Sequence, residues 1–128
     1  MSIINPSSLA RPRGFSHGVV AEGRLLFVAG QIGWDGQGRL VSDRFEDQFD
    51  QAVANVLAVV TEAGGTATSV CRLTIYVVDK GEYINAQKAI GERYRARMGR
   101  HYPAMTLVEV KSLLEEGARV EIEATAVV

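Results

Sequence analysis

Two carboxylates, Glu121 and Glu123, stand two residues apart in the run Arg119-Val-Glu-Ile-Glu-Ala-Thr-Ala126. In an extended strand that spacing puts both on one face, with Arg119 and Thr125, and sends Val120, Ile122, Ala124 and Ala126 to the other. Such a face is either open to water or an acid/base surface at an interface. The chain offers only two amphipathic helical segments, so the second sheet face has no helix to cover it. With Met105 and Leu107 expected on that face, it would be partly apolar and invite self-association. Carboxylates at such an interface are semi-buried and hold protons more tightly, which suits an acid or base near neutral pH. His17 is a second candidate donor or base. Cys71 has no partner cysteine for a disulfide, and its alternation with Leu73, Ile75 and Val77 reads as a small core hydrophobe.

The elements that must position these residues follow from periodicity. Val19-Val20 and Leu25–Ala29, separated by Ala21-Glu-Gly23, read as a β-hairpin. A glycine-rich loop follows, with Trp34 more plausible as the anchor that packs it down than as a binding aromatic. Phe45, Phe49, Ala52, Val53, Val56, Leu57 and Val60 form one continuous apolar helical face. Asp43 with Glu46 is the expected cap at its start, and Gly64-Gly65 its end. The alternating run Val70–Val78 predicts a strand, and Tyr83, Ala86, Ile90, Tyr94 and Met98 a second helix over about 82–98. Lys88, Arg93, Arg95 and Arg97 decorate that helix as a solvated basic face that complements its dipole. Two closing strands are expected at about 104–111 and 119–127. The order β-β-α-β-α-β-β is an α+β layer, with two helices on one face of a mixed sheet.

Composition agrees with a single domain: 128 residues, 47% apolar and 23% charged. A net charge of −1 supplies no field for recruiting nucleic acid or an anionic membrane. No apolar run approaches the ~20 residues a membrane span needs, and the opening Met1–Pro6 lacks the pattern of a secretory signal. A reducing cytoplasm is the expected compartment.

In order and spacing, Gly14-Phe-Ser-His-Gly18, Phe27-Val-Ala-Gly-Gln31, the Asn55-containing helix, Tyr76-Val-Val-Asp79, Pro103-Ala-Met-Thr106 and Val120–Ala126 together resemble the RidA/YjgF (reactive intermediate deaminase) family along nearly the whole chain. The resemblance implies a chorismate-mutase-like fold and a homotrimer with sheets inside, helices outside and clefts between subunits. It also implies hydrolysis of small 2-imino acids, and their enamine tautomers, to 2-keto acids and ammonia, without metal or cofactor. Carried over residue by residue, Glu121 matches the glutamate that holds the water or acts as acid/base, and Gly30 the glycine whose backbone approaches the substrate. Phe15 falls near a tyrosine at the cleft rim and lacks its hydroxyl; Lys88 falls near a position that is often asparagine.

One departure bears on chemistry. Where the family's deaminases carry an arginine that grips the substrate carboxylate, this chain has Met105, and Leu107 replaces a frequent cysteine. Methionine brings neither charge nor donor. The pocket should be more apolar and more permissive, with Lys88, Arg100 or Lys111 as candidate replacement cations. Three functions follow: a divergent imine/enamine hydrolase using Glu121, a non-catalytic trimer that binds a small metabolite in the same cleft, and an endoribonuclease or translation inhibitor. The last is disfavoured by the near-neutral charge and scattered aromatics.

Overall fold

The computed structural model describes residues 1–128. A four-stranded mixed sheet carries helices on one face. Its strands are β3 (Leu25–Ile32), β4 (Val70–Val77), β5 (Ala104–Glu109) and β6 (Val120–Val127), arranged β3-β6-β4-β5. β6 lies antiparallel between β3 and β4, while β4 and β5 run parallel, joined by a helical crossover. The α+β architecture with a mixed sheet and helices on one side is as the periodicity predicts.

Helix α1 (Phe45–Glu62) turns Phe45, Phe49, Ala52, Val53, Val56 and Val60 onto the sheet, where they meet Val28, Leu73, Ile75, Val77, Val120, Ile122, Ala124 and Ala126. It ends just ahead of Gly64-Gly65, as expected, but its start differs. Arg44, not Asp43, occupies the cap position, no side chain caps the helix, and the Glu46 carboxylate pairs with the Arg44 guanidinium. The second helix is divided at Ala86 into α2 (Lys80–Asn85) and α3 (Gln87–Met98). It starts two residues earlier than the apolar spacing suggests because Asp79 caps it, Oδ1 accepting from the Gly81 amide at 2.8 Å. Ile90, Tyr94 and Met98 are buried as the spacing requires.

The expected hairpin of Val19-Val20 with Leu25–Ala29 does not form. β2 (Gly18–Val20) pairs with β1 (Ser2–Ile4) in a separate two-stranded ribbon, whereas β3 takes its partners from β6, Leu25 opposite Val127 through Ile32 opposite Glu121. The local turn signal was outweighed by a distant strand that supplies a full ladder and a buried face.

Met105 and Leu107 also differ from expectation. In the parallel β4–β5 pair Met105 stands opposite Leu73 and Leu107 opposite Ile75, so both belong to the helix-covered face and pack against the core. The uncovered face carries Leu25 and Phe27, 61% and 73% exposed, together with Arg72, Thr74, Tyr76, Glu121, Glu123 and Thr125. It is both apolar and ionisable, without the two residues first placed there.

Cys71 is the extra residue of a bulge between Val70 and Arg72, half-buried rather than in the core line. Its thiol donates toward the Ser69 carbonyl at 3.5 Å, and burial pushes its pKa up. We therefore expect the native protein at pH 7.5 to react with a disulfide reagent at least about tenfold more slowly than the denatured chain. Equal rates would show that the thiol is freely ionised.

Candidate functional site

The uncovered sheet face brings the two acids to different situations. Glu123 accepts a hydrogen bond from the Tyr76 hydroxyl at 2.7 Å, and that bond to a carboxylate holds the phenol protonated above its usual range. No side chain of the same chain engages Glu121. Arg119, placed beside it by alternation, leaves this face: it precedes β6, and its guanidinium donates to the Asp43 carbonyl at 2.5 Å and pairs with Glu82 at 2.9 Å. Of the four polar residues assigned to one side of the last strand, Glu121 is the acid free to act on something else.

Gly30 lies directly beneath it. Val28 pairs with Ala124 and Gln31 with Ile122, so Ala29 and Gly30 together oppose Glu123 alone in a bulge. The Glu121 side chain runs across Gly30 so closely that a Cβ there would stand 2.8 Å from its carboxyl carbon. A side chain at position 30 would therefore displace the acid. The sheet geometry thus sets Gly30 and Glu121 side by side.

The loop after the bulge is pinned by two amides on α1. Asn55 Nδ2 donates to the Ile32 and Trp34 carbonyls at 3.1 and 3.0 Å, and Gln51 donates to Asn55 Oδ1 at 2.9 Å. Trp34 is half-buried within this loop and bridges to Leu40. Gly33 packs on the backbone of Gln48, where a Cβ would come within 2.4 Å of the Gln48 Cα. Gln48 itself is fully buried and joins three segments. Its Nε2 donates to the carbonyls of Ser42 and Gly117 at 2.9 and 3.0 Å, and its Oε1 accepts from the Arg119 amide at 2.8 Å. Nothing in the sequence marked Gln48; a glutamine beside Phe49 reads as the solvent side of the helix.

The other expected site residues lie elsewhere. Met105 reaches the covered side and lines a cavity of about 260 Å³ between α3, β4 and the N-terminal segment, with Tyr83, Tyr94, Tyr102 and Ile75 among its walls. Tyr94 and Tyr102 stack with centroids 5.4 Å apart, and the Tyr94 hydroxyl donates to the His101 carbonyl at 2.7 Å. Leu107, two residues on, packs against the core and does not line that cavity. Phe15 is half-buried and sets its ring edge-on to His17 at 5.4 Å. His17 is held by the N-terminal segment: its amide donates to Asn5 Oδ1 at 2.8 Å, and Nε2 lies 2.7 Å from the Ala10 carbonyl, which can only accept. That contact places the proton on Nε2 and gives His17 a structural task. The segment is stapled to the start of β5 by Ser16, whose amide donates to the Pro103 carbonyl at 3.1 Å and whose hydroxyl donates to the Tyr102 carbonyl at 2.5 Å. Lys88 is exposed and belongs to a separate depression with Arg44, Glu46, Glu82 and Arg119. Neither Lys88, Arg100 nor Lys111 lines the Met105 cavity.

Within one chain, then, the residues expected at the site fall into two halves. The Glu121–Gly30 half is on the uncovered face, and the Met105 half is on the helix side. No three His, Cys, Asp or Glu side chains converge as metal ligands would, and no helix is long and apolar enough to cross a membrane.

Known proteins share this arrangement of chain. The profile of one protein family, described as endoribonuclease L-PSP, matches residues 6–128. A RutC family protein of Pyrococcus horikoshii is 31% identical over 97% of this chain and 95% of its own length. The human 2-iminobutanoate/2-iminopropanoate deaminase is 32% identical over 88% of this chain and 79% of its own. Among solved structures, a Yersinia pestis protein of the conserved Rid family, described as of unknown function, superposes with a TM-score of 0.88 at 34% identity, covering 99% of this chain and 98% of that one.

Proposed function

The chain belongs to the RidA/YjgF family, whose profile carries the endoribonuclease L-PSP description, and from that premise we propose that it is a divergent imine/enamine hydrolase working at clefts between subunits of a homotrimer. The observation that carries this reading is the Glu121 carboxylate, unengaged by its own chain and laid across the bare Cα of Gly30 on a sheet face that no helix covers. An acid free of partners, beside backbone that a ligand can approach, suits proton transfer to and from a small substrate.

In the chemistry this suggests, water adds to the C=N carbon of an iminium, R–C(=NH2+)–COO−, and Glu121 takes the proton that the water loses. The same proton then passes to the nitrogen of the tetrahedral adduct. The C–N bond breaks, leaving ammonia, and the departing hydroxyl proton completes ammonium as the carbonyl forms. Atoms and charge balance as iminium plus water giving 2-keto acid plus ammonium. Enclosing the adduct in a cleft positions the water, which is the larger part of what such a site must supply.

Assembly would bring the two halves together, Glu121 and Gly30 from one subunit against the Met105 cavity of the next. Leu25 and Phe27 are the apolar groups that such an assembly would cover. Phe27→Asp is expected to convert a trimer to monomers in light scattering after gel filtration; a trimer unaffected by the change would put the interface elsewhere.

The competing reading, a trimer that binds a metabolite without turning it over, is favoured by Met105, which offers no charge to a carboxylate. Both are tested by ammonia release from imines generated in situ across several side chains, with wild type and Glu121→Gln compared. Turnover that depends on Glu121 supports hydrolysis; no turnover together with a metabolite that raises the melting temperature supports binding alone. Cleavage of RNA is the weaker reading for a chain with a net charge of −1.

A further inference from the structure

The three arginines of α3 have different fates. Arg93 and Arg97 are held by Asp47 and Asp50 of α1 at 2.7 and 2.6 Å, whereas Arg95 enters no ion pair. Its guanidinium folds back over Gly91, one turn earlier, where an added Cβ would stand 3.4 Å from Nη1. Gly91 and Arg95 both border the cavity where Met105 lies. Arg13 lines the same cavity from the N-terminal segment that Ser16 staples to β5, and it too has no ion-pair partner.

Two cations without counter-ions thus border a cavity whose other walls are Met105, Ile75 and the Tyr94–Tyr102 stack. At about 260 Å³ it is smaller than the ~300–1,000 Å³ typical of drug-sized ligands. The matching ligand is small, anionic at one end and apolar at the other. A guanidinium is well suited to that anionic end because its planar fork pairs with both oxygens of a carboxylate.

We propose that Arg95, seconded by Arg13, is the carboxylate-binding group of this chain, and that its ligands are small 2-oxo and 2-imino monocarboxylates whose apolar or aromatic side chains lie against the Tyr94–Tyr102 stack. The proposal rests on the cleft assignment above and deepens it. The cation comes from a turn of α3 and the N-terminal segment instead of from the strand position that Met105 holds. It also replaces Lys88, Arg100 and Lys111 as the expected substitutes, since none of them lines the cavity.

The test is calorimetric titration of the intact protein with phenylpyruvate and 2-oxobutanoate, and with the methyl esters of both. Wild type should bind the acids and not the esters, with phenylpyruvate the tighter of the two. Arg95→Gln should weaken acid binding by at least about tenfold, as expected for loss of a charged hydrogen bond, and Arg13→Gln should weaken it by a smaller factor. Arg97→Gln, which removes a cation paired with Asp50, should leave binding unchanged. No acid binding by wild type, equal binding of acid and ester, or undiminished binding by Arg95→Gln overturns the proposal. Parallel ammonia-release assays separate the two readings. Arg95-dependent binding without turnover upholds the subsite and sinks the hydrolase, whereas Glu121-dependent turnover that Arg95→Gln leaves intact sinks the subsite alone.

Discussion

Glu121→Gln is expected to lower ammonia release by about two to four orders of magnitude, the range over which a positioned general acid/base acts. The amide keeps the shape of the side chain over Gly30 and removes only its capacity to carry a proton. Glu123→Gln, two residues along the same face, is the matched control. Glu123 already accepts the Tyr76 hydroxyl, and an amide oxygen can accept it as well, so the loss there should stay within a few-fold. Steady-state rates from in situ imines, with melting temperatures to show that both variants are folded, decide the matter. Equal losses in the two variants would mean that the face needs negative charge in general and that Glu121 has no special task.

Gln48→Ala is expected to be the most destabilising change of a single polar residue. It would leave the Ser42 and Gly117 carbonyls and the Arg119 amide without their partners and open a void among α1, the Gly33 loop and the start of β6. Unpaired buried polar groups cost about 1–3 kcal/mol each, and partial relaxation toward water should bring the total to about 3–5 kcal/mol. Urea denaturation should show the midpoint falling with little change in slope. Gln48→Glu should also destabilise, because it turns an acceptor toward two carbonyls. A midpoint within error of wild type would mean that the three segments hold one another without the amide.

How much of this was legible in sequence depended on whether the deciding contact was local. Helix α1 was clear because Phe45 through Val60 repeat at helical spacing and every one meets the same sheet. The last strand was clear for the same reason at period two. The Val19–Ala29 hairpin failed because β3's partner lies nearly a hundred residues away and β2's is the three-residue strand Ser2–Ile4, too short to show a pattern. Met105 and Leu107 were assigned to a strand correctly and to the wrong face, since alternation separates two faces without saying which is covered. Glu121 was singled out by strand alternation as well as by resemblance, and Gly30 by resemblance alone; the bulge that brings them together left no mark on the residue pattern. Arg95 was hidden for another reason. It reads as one more charge in the series 93, 95, 97, and only the positions of Asp47 and Asp50 show which two of the three are spoken for.

The strand order has a consequence for how the chain must be made. β6 sits between β3 and β4, both of which precede it, and α1 packs chiefly on β3 and β6. On the ribosome β4 can pair with β5, and α1 can pack on β3 and α3, before the last strand appears, but β3 and β4 cannot join into one sheet until residues beyond Val120 emerge. Through that interval Phe45, Phe49, Val53 and Val56 belong to a half-built surface, and an unpaired edge of β4 stays open to strands from other nascent chains. A protein of this topology should therefore depend on synthesis rate and chaperone supply more than its size suggests.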